Sequence, residues 1–133
     1  MKRTNVLLSM ALLLAWSGSS SAEHRGAWLN KVPSKDRAAV NPLSEDPAVV
    51  GAGAHLFADH CASCHGEDAN GKGNHPSLRT SRIQNATDGE LHWLLHNGSL
   101  KNGMPSWSSL PDIQRWQLVC YLRSLSNEMQ ESQ

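Results

Sequence analysis

The sequence predicts an all-α fold, and three observations predict it. Two stretches open on explicit helix-start chemistry. Asp46-Pro47 pairs a capping carboxylate with a proline at the first helical position, and Thr87-Asp88-Gly89-Glu90 is a capping box. A third stretch, from Pro111 to about Ser126, places Ile113, Trp116, Val119, Cys120, Leu122 and Leu125 at helical spacing, giving one broad apolar face. Nowhere do apolar and polar residues alternate convincingly as they would in a half-buried strand.

Residues 1–22 read as a secretory signal. Lys2 and Arg3 give a positive start, Val6 to Trp16 form an apolar run broken only by Ser9, and Ser20 and Ala22 stand where a signal peptidase reads. The run is too short to span a bilayer comfortably, so the alternative, an uncleaved anchor, is the weaker reading. Without a cysteine directly after the run, a lipid anchor is not expected. Residues 23–45 are polar, of mixed charge, and hold Pro33 and Pro42. They are expected to form a poorly ordered arm, with Trp28 and Leu29 packing on the domain that follows over 46–127.

Within that domain the first helix runs from Pro47 to about His60. Gly51 and Gly53 weaken it intrinsically. A glycine inside a helix often marks close approach by another element, and Gly53 shares a face with Phe57. A loop follows over 67–80, punctuated by Gly71 and Gly73 and stiffened by Pro76. The second helix spans Asp88 to Asn97 and stops at Gly98. A second loop, 103–110, leads into the last helix, and 128–133 are expected to fray.

Charge excludes some functions. The 133 residues carry 12 Lys and Arg against 12 Asp and Glu, for a formal net charge of zero. Loss of Lys2 and Arg3 with a signal leaves the remainder slightly acidic. No nucleic-acid or anionic-membrane partner is indicated, and no integral membrane segment is expected in the mature chain. The three cysteines cannot all pair in an oxidising compartment. Two on a cofactor and one buried would account for them.

Cys61-Ala62-Ser63-Cys64-His65 carries the chemistry. C-x-x-C-H is the attachment pattern of a c-type haem: two thiols add across the porphyrin vinyl groups, and the adjacent imidazole ligates the iron. The competing readings need features that are missing. A redox dithiol needs a βαβ context, and a zinc site needs a second ligand pair at regular spacing. One haem c per chain, covalently bound through Cys61 and Cys64 with His65 on iron, is the expectation.

The second axial position has three candidates: Met104, a histidine such as His92 or His96, or nothing. Met104 lies between Gly103 and Pro105 in a loop, a poor place for a core side chain, and a thioether suits Fe(II). Its alternative is simple packing on a hydrophobic cluster. His65 also needs an acceptor for its other ring N–H. The Pro76-Ser77-Leu78 turn is the candidate, through the Pro76 carbonyl, with Leu78 packing on the ring. Cys120 reads as a small buried hydrophobe rather than a reactive thiol.

The chain resembles the class I c-type cytochromes, and more narrowly the single-haem modules similar to cytochrome-c subunits of bacterial oxidases and dehydrogenases. The resemblance runs from Gly53-Ala54-His55-Leu56-Phe57 through the C-x-x-C-H motif and Pro76-Ser77-Leu78 to Gly103-Met104-Pro105-Ser106-Trp107. It ends with Trp116 and Tyr121-Leu122-Arg123-Ser124-Leu125, covering about residues 46–126. It implies a small class I cytochrome c fold, with three to four helices wrapped around one haem. It implies thioethers at Cys61 and Cys64, axial bonds from His65 and Met104, and Gly53 and Phe57 crossing the last helix near Tyr121. Trp93, Trp107, Trp116, Arg79 and Arg82 become candidates for lining the haem or holding its propionates.

The function expected from this reading is an exported carrier, periplasmic in a bacterium. It passes one electron between protein redox partners as a monomer or as a subunit of a complex, and is not itself an enzyme. Two alternatives stand beside it: a haem enzyme or gas sensor with a labile sixth ligand, and a fixed electron-transfer subunit of a larger respiratory or dehydrogenase complex.

Overall fold

The structure, a computed structural model, describes residues 26–43 and 46–131, with side chains up to Ser126. The expected secretory signal therefore lies outside the described residues. The elements are a 3-10 turn at Leu29–Lys31, then α1 (Ser34–Arg37), α2 (Pro47–His60), α3 (Ala62–His65), α4 (Ser81–Gln84) and α5 (Asp88–Asn97). A 3-10 turn at Leu100–Asn102 and α6 (Asp112–Glu131) complete them. Among the described residues there are no strands, only isolated bridges at Lys72–His75 and Ser99–Met104. The all-α class is as expected. The long helices α2, α5 and α6 make the frame, and the remaining helices are single turns that the sequence pattern did not reveal.

Local chemistry places the long helices as read. Asp46 accepts hydrogen bonds from the Ala48 and Val49 amides at 2.9 and 3.0 Å, with Pro47 opening α2. Thr87 accepts from the Glu90 amide, and the Glu90 carboxylate returns to the Thr87 amide at 2.7 Å, so both arms of the capping box are made. Gly98, at φ 69°, ends α5. The last helix continues to Glu131, beyond the expected end near Ser126.

Packing follows from those faces. α2 and α6 cross at Gly53, where a Cβ would strike the Gln117 carbonyl and lie 2.8 Å from the Tyr121 Cβ. Only glycine lets the two backbones approach this closely, and Phe57 then meets the Tyr121 ring with centroids 5.1 Å apart. Phe57 on α2, Leu91 on α5, and Leu118, Val119 and Leu125 on α6 are almost wholly buried. Each such side chain contributes roughly 1.5–3 kcal/mol through removal from water. Ile113, expected on the apolar face of the last helix, is instead 47% exposed, in the first turn of α6.

The arm corrects an expectation. Residues 26–43 are folded onto the domain rather than poorly ordered. Trp28 and Val32 are buried in the core cluster, and Leu29 packs against it. Arg37 pairs with the buried Glu90 at 2.9 Å, and the Thr87 hydroxyl donates to the Arg37 carbonyl at 2.8 Å. Gly89 admits the backbone of Asp36 and Ala39 at the start of α5. The Asn41 amide donates to the Trp116 carbonyl and to the Cys120 sulfur, both at 3.2 Å. A composition that is polar on average hides these few contacts, each of which depends on a partner distant in sequence. Cys120 is fully buried, as read.

Candidate functional site

The site begins where α2 ends. The Cys61 amide closes that helix on the Phe57 carbonyl at 2.8 Å, and Cys61 leads straight into the single turn of α3. Gly66, at φ 81°, stops that turn immediately after His65. Cys61 and His65 are four residues apart and therefore share a face. Both line an apolar cleft with Phe57, Leu78, Leu118 and Leu122, and Ile83, Leu91, Leu94 and Leu95 form the rest of its wall. The cleft is narrow, with room for about 40 Å³ of water-accessible space, and is partly open to solvent. Cys64 is exposed, and the two cysteines are not joined in a disulfide.

The 67–80 loop folds back to meet His65. The Gly71 amide donates to the His65 carbonyl at 2.7 Å, and the Leu78 amide to the Ala69 carbonyl at 2.8 Å. Arg79 ties this loop down, donating to the carbonyls of Asp68 at 2.7 Å and Leu125 at 3.2 Å. The result sets the Pro76 carbonyl 2.9 Å from His65 Nδ1. A carbonyl only accepts, so Nδ1 carries a proton, and of the two neutral tautomers this bond selects the one that leaves Nε2 free to bind a metal.

Met104 arrives from the opposite loop. The Ser99 amide donates to the Met104 carbonyl at 2.9 Å and the Met104 amide to the Ser99 carbonyl at 3.2 Å. The turn between them closes through Gly103 at φ 80°. Met104 is half-buried and lines the same cleft as His65. Among the described histidines, only His65 lines it. His92 instead stacks on Trp116 at 3.9 Å, and His96 is exposed.

The five residues suggested for the haem lining or propionates are not among the cleft-lining residues. Arg79 is committed to backbone carbonyls, and the Arg82 side chain lies beside Gly26. Trp116 donates to Asp112 at 3.0 Å. Trp107 meets the His60 ring with centroids 5.0 Å apart, and Trp93 packs against the core. Sequence reasoning missed Arg115, which is 6% exposed and reaches the loop that follows Met104. Its only signal was its position three residues after Asp112.

The donor set fits a c-type haem. The Cys61 thiol, the His65 imidazole and the Met104 thioether border one apolar cleft, with the imidazole already propped on a carbonyl and the Cys64 thiol exposed one residue before it. Burial, and then the nearby Cys64 thiol, push the Cys61 thiol up to about 11. That is the opposite of the lowered thiol a redox dithiol uses. Among the described residues no three His, Cys, Asp or Glu side chains gather as a bare-metal site.

Comparison with known proteins agrees. Residues 48–122 match the family model described as cytochrome C oxidase, cbb3-type, subunit III. The cbb3-type cytochrome c oxidase subunit CcoP of Rubrivivax gelatinosus is 37% identical over 70 residues, 49% of this chain and 23% of the relative. Subunit FixPc of Rhizobium leguminosarum bv. viciae is 36% identical over 84 residues, 60% of this chain and 29% of the relative. The chain thus spans under a third of the length of these relatives. In structure, cytochrome CL of Methylophaga aminisulfidivorans aligns over 92% of this chain and 85% of its own, with a TM-score of 0.53 and 22% identity, a likeness of fold. Among the described residues, no helix is long and apolar enough to cross a membrane.

Proposed function

Since the chain belongs to the family of cytochrome C oxidase, cbb3-type, subunit III, we propose that it carries one haem c and relays single electrons between protein redox partners. Cys61 and Cys64 would hold the group covalently, and His65 and Met104 would ligate its iron. When bound, the haem supplies the one-electron couple of its iron. The chain supplies the rest. Pro76 fixes the His65 tautomer and ring plane, and Leu78, Leu94 and Leu118 keep the cleft apolar. With His65 and Met104 both bound to the iron, no position would remain open for oxygen or peroxide. The observation that carries this reading is the Pro76-propped imidazole facing an apolar cleft that a loop methionine shares.

Residues 1–22 act as an export signal in this reading, and the domain works outside the cytoplasm, in the periplasm of a bacterium.

The test is Met104→Ala in the haem-loaded protein. Covalent haem should remain, the reduction potential should fall, and the reduced iron should take up CO. The wild type should show the weak far-red band of methionine-ligated ferric haem and little CO uptake. A high-spin wild-type spectrum with ready CO binding would instead make the protein a haem enzyme or gas sensor.

A second reading concerns physiology. The named relatives are oxidase subunits, which favours a fixed place in a respiratory complex over a free shuttle. Copurification decides: a stoichiometric partner retained through high salt supports the subunit, and an isolated monomer supports the shuttle.

A further inference from the structure

We propose that Arg115 is the positioning residue for Met104, holding the Met104 loop against the end of α5. The inference rests on Met104 being the second axial ligand.

Residues 104–108 lie on the C-terminal end of α5, where helix carbonyls lack intrahelical partners. The Ser106 hydroxyl donates to the His96 carbonyl at 2.5 Å and the Trp107 amide to the Leu95 carbonyl at 2.9 Å. At Gly98 a Cβ would come within 2.6 Å of the Pro105 backbone, so the two strands of chain lie in direct contact. These bonds hold one side of the loop. The other side is reached by Arg115. Arg115 Nη1 donates to the Leu110 carbonyl and comes within 3.5 Å of the Trp107 and Ser108 carbonyls. Its Nη2 donates to Asp112 at 2.8 Å.

A buried guanidinium is expensive unless its donors are met; here Nη1 and Nη2 are met by loop carbonyls and Asp112, while Nε has no partner. It stands on α6, the helix that crosses α2 just before the Cys61–His65 turn. The loop bearing one axial side chain is therefore referenced, through Arg115, to the same frame that carries the other. Lysine could keep the charge but not the planar fork that reaches several carbonyls and a carboxylate together.

The control is Arg123, on the same helix. It donates to Asp88 at 2.8 Å and to the carbonyls of Gln84 and Ala86, and its bonds hold the turn before α5 rather than the Met104 loop. The experiment compares Arg115→Lys with Arg123→Lys in the haem-loaded full chain, by CO uptake of the reduced protein and by hydrogen exchange. Arg115→Lys should speed CO uptake, and exchange of the Met104 and Trp107 amides, about tenfold, as loss of one charge-assisted hydrogen bond implies. Arg123→Lys should leave both near wild type. No acceleration in Arg115→Lys, or equal acceleration in both variants, overturns the proposal. Should Arg115→Lys yield no loaded protein, Asp112→Asn, which keeps the guanidinium but removes its carboxylate, carries the same expectation at smaller size and the same overturning results. Unchanged CO uptake in Met104→Ala would end the ligand reading by itself, while the exchange comparison would still decide whether Arg115 holds the loop.

Discussion

His65 Nδ1 lies 2.9 Å from the carbonyl oxygen of Pro76, eleven residues along the chain. The bond is maintained by a loop wound tightly around Gly71, whose φ is +91°. A Cβ built on Gly71 would stand 2.7 Å from the His75 carbonyl oxygen and 3.0 Å from the Pro76 carbonyl carbon. The orientation of the imidazole therefore depends on a residue with no side chain.

Gly71→Ala should accordingly destabilise the fold by at least about 1–2 kcal/mol, from the left-handed backbone alone. It should also displace the Pro76 carbonyl. A ring that loses this acceptor becomes a less basic ligand, so the reduction potential of the loaded protein should rise. Potentiometry beside thermal melts checks both parts, and a variant with wild-type potential would separate Gly71 from the ligand.

The two glycines of α2 should respond in opposite senses. Gly53→Ala drives a methyl into the Gln117 carbonyl and should cost about 1–3 kcal/mol or more. At Gly51 a Cβ meets nothing within 4 Å, so Gly51→Ala should stabilise by about 0.5–1 kcal/mol. Denaturant titration of both variants measures the contrast.

Trp28 tests whether the arm belongs to the domain. It is 7% exposed within the core cluster. Trp28→Ala should therefore destabilise by about 3–5 kcal/mol, as a core truncation does. A loss below about 0.5 kcal/mol, typical of a surface position, would mean that the arm merely rests on the surface.

His92 sets a pH dependence. Burial against Trp116 holds its imidazole below the usual histidine range, and Arg115 and His96 add to this while Asp112 opposes it. Its Nε2 lies 3.0 Å from Asp112 but has no aligned hydrogen bond. The folded state thus binds this proton less readily than the unfolded chain. The resulting stability is fully present above the unfolded value of about 6.5 and is lost as pH falls through the lower folded value. Asp112 acts in the same direction further into acid. Burial would raise its carboxyl, but the Arg115 hydrogen bond and the nearby charges of His92 and Arg115 outweigh this and hold it low. His92→Phe keeps a stacked ring and removes the titration, so its melting temperature should fall less than that of wild type between about pH 7.5 and 5.

The chain by itself determined the class and the helix starts, and it carries the motif on which the proposed chemistry rests. Asp46-Pro47, the Thr87–Glu90 box and Gly98 are local devices whose partners lie within a few residues, so they are legible without a fold. The Cys61–His65 motif is equally local. Gly53, Phe57 and Tyr121 were legible through a family resemblance, because a close helix crossing leaves a recognisable glycine. Tertiary structure alone decided the rest. It folded the arm, because Arg37 pairs with Glu90 on α5 and Asn41 with the Trp116 carbonyl on α6, partners far away in sequence. It turned Trp116 and Arg79 toward other work, since a side chain's nearest acceptor depends on how the helices cross. It also buried Arg115 behind the Met104 loop. A guanidinium's role is set by the carbonyls that surround it, and those carbonyls carry no mark in the sequence.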